Sequence, residues 1–362
     1  MKVYALYLPQ FHAIPENDEW WGEGFTEWDN VKNARPLFKG HLQPKHPANE
    51  YYYNLLEKET VVWQTNLLKD YHIDGLVYYH YYFNGKKLLE KPAENLLQWK
   101  DINQNFFFNW ANHSWNRAWN GSRELLIEQT YGDITDWRKH FDYLLPFFRD
   151  SRYVKINGCP VLMIYNPSFP EKEEMMTCFD TWCKNEGFEG LFLIEECLSL
   201  PDPIYFDHII EHLTSPTKRV YLTQPSICRQ WYINSSNLFY KVGIKVLNRL
   251  NQKGLVKRPL VYNGDKMLKA MIKKEPLGNS VVHGVFFEWD NTPRHKRRGY
   301  IITPIKKNTL FEYLDRIKDD DFLVINAWNE WAEGMMIEPT EEWGNRYLEW
   351  IKEWKEKSSE GV

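Results

Sequence analysis

Short apolar runs alternate along the chain with longer stretches of helical periodicity. About eight of the runs are candidate strands, and several of these are nearly continuous in hydrophobicity, which is typical of parallel strands covered on both faces. The candidate strands span residues 3–8, 75–82, 106–110, 161–165, 191–195, 208–212, 282–287 and 322–327. The alternation of strands and helices predicts a parallel α/β fold.

The stretches between these runs place apolar residues at the i, i+3, i+4, i+7 spacing of amphipathic helices. Clear stripes occur over residues 137–148, 310–317 and 347–354, and Pro146 predicts a kink in the first. No glycine-rich phosphate turn follows the first run, which disfavours an open dinucleotide-binding sheet. The pattern therefore predicts a (β/α)8 TIM barrel with long loops after its strands.

The length and the absence of linkers predict a single catalytic domain over residues 1–362. A (β/α)8 barrel needs roughly 250 residues and tolerates insertions. No Pro/Gly/Ser-rich linker divides the chain. Residues 215–259 fit the alternation least well, and we expect an inserted helical segment there.

Charge and cysteine content narrow the function classes. The net charge of −4 offers no basic excess for a phosphate backbone, so nucleic acid is not an expected partner. No apolar run reaches the roughly 18 residues of a membrane helix, and no secretory signal follows Met1. Five scattered cysteines fit a reducing compartment, which predicts a cytoplasmic protein. No metal-ligand spacing is present, so neither metal nor cofactor is expected.

The chain is rich in aromatic residues, with 17 Trp, 22 Tyr and 20 Phe. Flat apolar rings with polar tips suit the C–H faces of sugars, although about half of these rings are expected to serve packing alone. Polar and aromatic clusters follow the first, third, seventh and eighth predicted strands. Their substrate-binding candidates are His12, Trp20, Trp21, Glu27, Trp28, Trp110, Asn112, His113, Trp289, Asp290, Arg294, Trp328, Asn329 and Trp331.

Several of these candidates also have a structural interpretation. Asp290 could cap a turn, the histidines could be satisfied within the fold, and Trp20 and Trp21 could close their loop onto the barrel. The basic residues 294–298 could form a solvated loop or meet an anionic ligand.

Glu330 and Glu333 follow the last predicted strand and are the candidate catalytic pair. Cleavage of a glycosidic bond takes a proton donor at the leaving oxygen and a second carboxylate on the other face of the sugar. Residues three apart on a helical turn lie about 5–6 Å apart, so both could reach one ring. The alternative is that one of them caps a helix or pairs with Arg346.

Five segments together resemble the WbsX-type glycosyltransferases. They read Leu-Pro-Gln-Phe-His at 8–12, Gly-Phe-Thr-Glu-Trp at 24–28, Gly-His-Leu-Gln-Pro at 40–44, Trp-Asp-Asn-Thr-Pro-Arg at 289–294 and Trp-Asn-Glu-Trp-Ala-Glu-Gly at 328–334. That family is similar to glycoside hydrolase family 99, which contains endo-α-mannosidases and endo-α-mannanases.

The resemblance implies a (β/α)8 barrel and retaining chemistry at an α-linked sugar, commonly mannose. It implies that Glu330 takes the proton of the sugar 2-hydroxyl and that Glu333 protonates the leaving oxygen. Two segments depart from the family pattern. His113 stands where the family usually has Glu, and residues 211–216 fit only loosely, which affects the expected sugar preference rather than the reaction centre.

Three functions remain open at this stage. The first is glycosyl transfer in cytoplasmic assembly of a surface polysaccharide, such as an O-antigen or a capsule, from an oligosaccharide or sugar donor. The second is retaining endo-α-glycoside hydrolysis with participation of the 2-hydroxyl. The third is glycan binding without catalysis, which retention of both glutamates disfavours.

Overall fold

The computed structural model describes residues 1–117, 124–196, 218–221, 225–256, 258–273 and 281–360. Its main sheet contains eight parallel strands. These are β1 (Lys2–Tyr7), β2 (Gly75–Phe83), β3 (Phe106–Trp110), β4 (Cys159–Ile164), β5 (Phe192–Glu196), β6 (Lys218–Tyr221), β7 (Val281–Phe286) and β8 (Phe322–Asn326). The protein therefore has the α/β architecture that the alternation predicted.

The parallel strands pair in chain order. Each of β1 to β7 pairs with the strand that follows it, and β1 pairs with β8 as well. At β1, Ala5 lies opposite Leu76 of β2 and Ile325 of β8. The fold is thus barrel-like, and the carboxyl ends of the eight strands lie at one edge, where barrels of this class carry their active sites.

Twelve α-helices accompany the strands in the described part of the chain. They are α1 (Pro15–Trp21), α2 (Glu27–Asn33), α3 (Lys58–Asp70), α4 (Lys91–Gln98), α5 (Ile134–Arg149), α6 (Lys172–Asn185), α7 (Pro225–Ser235), α8 (Leu238–Gln252), α9 (Gly264–Ile272), α10 (Thr292–His295), α11 (Lys307–Arg316) and α12 (Arg346–Glu360). None of the helices within these ranges combines the length and apolar character that crossing a bilayer requires.

Seven of the eight predicted strands overlap strands of the structure, and residues 208–212 lie outside the described residues. The three predicted helical stripes lie in α5, α11 and α12, and α5 continues through Pro146 to Arg149. The segment expected as an insertion begins with a main-sheet strand, because β6 pairs with β5 and β7. Its helical part is α7 and α8.

The core lies within and around the parallel sheet. Strands β1–β5, β7 and β8 are almost wholly buried, and aromatic side chains fill much of the interior. Tyr4 packs edge-on against Phe107, and Tyr7 packs against Tyr78 with ring centroids 4.3 Å apart. Many of the chain's aromatic residues therefore serve packing, as expected for such large apolar surfaces.

In the described part of the chain, three small sheets extend the loops at the carboxyl edge, and one of them pairs Trp115–Asn116 antiparallel with Leu125–Ile127. Leu260–Tyr262 pairs with Tyr300–Ile302, which also pairs antiparallel with Trp289–Asp290. Asn329–Glu330 pairs antiparallel with Met335–Met336 just after β8. These additions place Trp289 and Glu330, two of the predicted site residues, on ordered backbone rather than on free loops.

Candidate active site

The segment after β8 forms a tight hairpin that carries both candidate catalytic glutamates. Glu330 ends a short strand, and the 3-10 turn Trp331–Glu333 follows directly. Gly334 closes the turn with φ of 55°, a left-handed conformation that glycine adopts without steric cost. The hairpin therefore brings Glu330 and Glu333 to one side of the site.

Asn329 fastens this hairpin to the first strand's end. Its Oδ1 accepts a hydrogen bond from the Leu8 amide at 2.7 Å, and its Nδ2 donates to the Leu8 carbonyl at 3.0 Å. Trp328 and Trp331 are buried in the core on either side of it. Because buried polar groups that are fully paired are strongly restrained, Asn329 fixes the backbone that precedes Glu330.

Arg294 joins three glutamates into one cluster. Its Nη1 donates to Glu333 Oε1 at 2.5 Å, and its Nη2 lies 3.3 Å from Glu330 Oε2. The same Nη2 lies 3.1 Å from Glu27 Oε2. Glu330 and Glu333 thus contact the two terminal nitrogens of a single guanidinium, whose planar arrangement of N–H donors matches the geometry of carboxylates.

Glu27 lies behind Arg294 and has no solvent-exposed surface. It is the first residue of α2, where Thr26 and Asp29 form a reciprocal capping box. A negative side chain at a helix N-terminus is stabilised by the helix dipole. Glu27 thus forms a buried ion pair with Arg294 on the side away from the cleft.

Burial raises the pKa of Glu330 to about 8, since the low-dielectric surroundings disfavour its charged form. The Arg294 cation opposes this shift, whereas the negative charges of Glu333 and Glu27 add to it. The same cluster holds the pKa of Arg294 well above its ordinary value against the effect of burial. Glu330 is thus a carboxyl that can be either protonated or ionised near neutral pH.

Asp290 supports the helix that carries Arg294. Its Oδ1 accepts from the Thr292 amide at 3.0 Å and from Thr292 Oγ1 at 2.6 Å. Its Oδ2 lies 2.8 Å from both His41 Nε2 and Gln43 Nε2. Both oxygens are therefore occupied by protein groups, and the structure places Asp290 beneath the site rather than on its surface.

The cluster opens into a cleft of about 560 Å³ at the carboxyl edge of the sheet. Trp289 donates its Nε1 proton to Glu333 Oε2 at 2.9 Å and presents its ring to the cleft. Aromatic and imidazole side chains from several loops complete the walls: Trp21, Tyr79, Tyr81, His113, Trp115, Tyr165 and His295. Rings around a few fixed carboxylates are the composition expected of a sugar site.

The match to known families extends over nearly the whole chain. The sequence profile of the family described as Glycosyltransferase WbsX covers residues 3–351. The chain belongs to this family. The WbsX family is a family of carbohydrate-active enzymes, which is the class of protein that the motifs indicated.

Two curated relatives come from strains B100 and ATCC 33913 of Xanthomonas campestris pv. campestris, and each is described as "Uncharacterized protein WxcX". Each is 31% identical to this WbsX chain over 370 residues, which covers 96% of the chain and 48% of the relative. The chain thus spans about half the length of the curated relatives it matches.

Solved structures share the fold at low sequence identity. A glycoside hydrolase-like protein superposes with a TM-score of 0.60 at 11% identity, covering 98% of this WbsX chain and 93% of its own. The GH99 endo-α-mannosidase of Bacteroides thetaiotaomicron superposes with a TM-score of 0.53 at 13% identity, covering 98% and 96%. At these identities the comparison supports the α/β, barrel-like fold alone.

The structure brings some predicted site residues of the WbsX chain to the cleft and others to the interior. Those that line the cleft are Trp21, His113, Trp289, Arg294, Glu330 and Glu333. Those within the packed interior are His12, Glu27, Trp28, Trp110, Asn112, Asp290, Trp328, Asn329 and Trp331, and Trp20 packs beside Trp115.

The interior group supports the site from behind. Trp28 donates to the Tyr53 carbonyl at 2.8 Å and packs against Trp331. Asn112 exchanges two hydrogen bonds with the Asn166 backbone, both at 2.7 Å, which joins the loops after β3 and β4. Burial lowers the pKa of His12 to about 4, so this residue is neutral at physiological pH.

Several cleft residues escaped the sequence analysis. Tyr79 and Tyr81 lie in the second half of β2, inside a run typical of an ordinary apolar strand, and Tyr165 follows β4. A further buried carboxyl also escaped the sequence analysis: Glu196 ends β5, where burial raises its pKa to about 8 and Asn109 Nδ2 donates to it at 2.5 Å. Strand parity could have found Glu196, since Glu195 points outward and pairs with Lys172 at 2.9 Å.

No group of three or more His, Cys, Asp or Glu side chains with the arrangement of a metal site occurs among the described residues. Three consecutive aspartates occupy residues 319–321 just before β8, and Oδ2 of Asp320 lies 2.5 Å from His283 Nδ1. The site's charge balance is supplied by Arg294, which pairs with all three neighbouring glutamates.

Proposed function

We propose that this chain is a retaining glycosyl-transferring enzyme that acts at an α-linked sugar during cytoplasmic assembly of a cell-surface polysaccharide. The observation that carries the proposal is the placement of Glu330 and Glu333 on one guanidinium at the floor of an aromatic cleft. Membership of the WbsX family supports it. Mannose is the sugar that the family resemblance favours.

The proposal includes a closed (β/α)8 barrel as the scaffold. Its support is the pairing of β1 with both β2 and β8, which links the first and last strands of the main sheet. In such a barrel the loops after all eight strands surround one site, and residues from distant parts of the chain meet there. Glu27, Arg294 and Glu330 are three such residues.

In the first step Glu330, in its ionised form, takes the proton of the sugar 2-hydroxyl. The freed oxygen attacks C1 of the same sugar, and the bond from C1 to the leaving oxygen breaks. A base is more effective when its pKa lies near the working pH, and burial gives Glu330 this property. The product of the step is a 1,2-anhydro sugar, so no bond to the protein forms.

Glu333 donates a proton to the leaving oxygen in that step and then takes a proton from the acceptor hydroxyl. As the acceptor attacks C1, the 2-oxygen recovers its proton from Glu330, and both carboxyls return to their starting states. The Glu333 side chain is 23% exposed, whereas that of Glu330 is 10% exposed. The more accessible carboxyl is suited to exchange with a departing and an arriving group.

The charge of the cleft favours a glycan donor over a nucleotide sugar. Among the described residues that line it, Arg294 is the permanent cation, and three glutamates already pair with it. A diphosphate requires cations or backbone amides to balance its charge. A neutral oligosaccharide would bring no such requirement.

Hydrolysis by the same two glutamates is the second candidate, because water could replace the acceptor sugar in the final step. Its specific support is the structural likeness to the GH99 endo-α-mannosidase, combined with a matched pair of carboxyls in the cleft. The two candidates share the donor chemistry and differ only in the group that accepts the sugar.

The purified protein would be incubated with α-mannans and α-manno-oligosaccharides, with and without an acceptor sugar, and separately with nucleotide sugars. We expect transfer from the oligosaccharide to the acceptor with retained α-configuration, observed by mass spectrometry and NMR. Release of sugar to water without transfer would favour hydrolysis. Binding without turnover in every mixture, unchanged by Glu333→Gln, would overturn catalysis altogether.

A further inference from the structure

One segment of the chain has a charge unlike the rest. Residues 218–264 contain nine Lys or Arg residues and no Asp or Glu, whereas the whole chain has 45 basic and 49 acidic residues. This segment includes α7 and α8, which follow β6. A basic region on an otherwise acidic protein indicates attraction to an anionic partner.

The outward face of α8 is also strongly apolar. Phe239 is 90% exposed, Leu238 is 72% exposed, and Val242 and Val246 are exposed by about half. Phe239, Val242 and Val246 follow the i, i+3, i+7 spacing of a single helical stripe. Isolated apolar residues are common on surfaces, but a continuous stripe of this kind indicates a contact.

A row of cations lies beside this stripe. Lys241, Lys245 and Arg249 follow an i, i+4, i+8 spacing, so they form one row along the same helix. Across the ranges that the structure describes, none of the three forms an ion pair with a carboxylate. Ile244 and Asn251 are buried and define the opposite face, by which α8 packs on the protein.

We infer that α8 binds the surface of an anionic lipid bilayer, with Phe239, Val242 and Val246 inserted between headgroups and the cationic row contacting lipid phosphates. A helix with basic and apolar residues on its exposed half has the composition of an interfacial helix. At 15 residues, α8 suits a position along the surface. A polyanion such as nucleic acid would use the cations but not the apolar stripe.

Helix α8 contacts a segment next to the cleft, and its neighbour α7 reaches the cleft itself. Asn251 Nδ2 donates to the Arg298 carbonyl at 3.0 Å, close to the helix that carries Arg294. In α7, Arg229 lies over the Tyr300 ring at 4.3 Å, and Pro225 lines the cleft itself. Binding of α8 would therefore hold the mouth of the cleft near the bilayer surface.

The test measures co-sedimentation of the full chain with vesicles of phosphatidylcholine alone or mixed with phosphatidylglycerol. We expect binding to the anionic vesicles that weakens as salt is raised, and little binding to the neutral ones. The triple variant Lys241→Glu/Lys245→Glu/Arg249→Glu should lose at least about a hundredfold in partitioning, because each cation near such a surface contributes roughly fivefold. The variant Phe239→Ser/Val242→Ser/Val246→Ser should lose about tenfold or more.

The matched control reverses three exposed lysines elsewhere, Lys39→Glu/Lys69→Glu/Lys318→Glu, which changes the net charge equally. It should retain most of the binding. Equal losses in control and helix variants, or no wild-type binding to anionic vesicles, would overturn the inference. The inference would also be overturned if the protein formed a dimer in the absence of lipid and the apolar variant were monomeric. The readout needs no turnover, so it is independent of the proposed reaction.

Discussion

Two buried carboxyls, Glu330 and Glu338, lie close together in the sequence and have different surroundings. Glu330 shares the guanidinium of Arg294 with Glu27 and Glu333 and borders the cleft. Glu338 accepts hydrogen bonds from Tyr53 Oη at 2.8 Å, Gln64 Nε2 at 2.7 Å and Trp331 Nε1 at 2.7 Å. The first is suited to move protons and the second to hold a fold together.

Burial alone does not distinguish the two carboxyls. It raises the pKa of Glu330 to about 8 and that of Glu338 to about 7. The difference lies in access and in partners, because Glu330 meets a cation and an open cleft whereas Glu338 meets three neutral donors in a closed interior. A raised pKa therefore marks a candidate site only when the geometry also offers room for a substrate.

The largest expected difference is in turnover. Glu330→Gln should lower kcat by about 10²–10⁴-fold, since the amide cannot accept the 2-hydroxyl proton. The free energy of unfolding of this variant should be unchanged or higher, because a carboxyl whose charge is unfavourable when buried becomes a neutral group of the same shape. Steady-state kinetics and urea unfolding would test both. A variant with full activity would remove Glu330 from the reaction.

Arg294→Met should lower the free energy of unfolding by about 3–5 kcal/mol at pH 8, because three glutamates lose their shared cation. The Arg294 cation opposes the rise in the Glu330 pKa, so its loss raises that pKa further in the folded state. A carboxyl whose pKa is raised on folding destabilises the fold above its unfolded value, and this cost shrinks as the pH falls toward that value, so the variant should recover partly as the pH falls.

The matched control is Arg297→Met, three residues further along and exposed. Its unfolding curve should follow that of the wild type at each pH. Equal destabilisation of the two variants would mean that the Arg294 cluster contributes nothing particular to the fold.

Glu338→Gln should lower the free energy of unfolding by about 1–3 kcal/mol, since an amide nitrogen then faces a hydrogen-bond donor in a closed interior. Turnover per folded molecule should stay within a few-fold of the wild type. Glu312→Gln, on the exposed face of α11, is the control and should change neither quantity. Denaturant unfolding and active-site titration would separate the two effects.

The smallest expected effect is the pH dependence of the wild type. If ionised Glu330 is the base and its pKa is about 8, kcat/KM should rise about tenfold from pH 7 to pH 9. The rise should be absent in Glu330→Gln and preserved in Glu338→Gln. A profile that is flat over this range would contradict the role given to Glu330.

Much of the fold was predictable, because hydrophobic runs and helical stripes are local signals. Residues 106–110 were predicted as a strand and form β3 with the same bounds. The pair Glu330 and Glu333 was predicted to meet at one site, and Arg294 binds both. The strand at Lys218–Tyr221 was missed because a four-residue run has little periodicity to detect.

The partners of individual side chains were not predictable, since they depend on contacts between distant parts of the chain. Asp290 was a substrate-binding candidate, yet it is occupied by His41 and Gln43, which lie about 250 residues earlier. Arg294 was a candidate without an assigned partner, and Glu27 reaches it from 267 residues away. Tryptophan content indicated a sugar site, but it could not show which rings face inward.

The contact of Asn329 with Leu8 has a consequence for biosynthesis. These residues are 321 positions apart, and the pair fixes the backbone next to Glu330. A nascent chain that has emerged only as far as β7 has the first strand and its loops, but neither Asn329 nor the glutamate pair. Contacts of such long range form late in folding. The proposed reaction therefore requires that the chain has left the ribosome at least as far as Glu333, and products truncated before Glu330 would lack both proposed catalytic carboxyls.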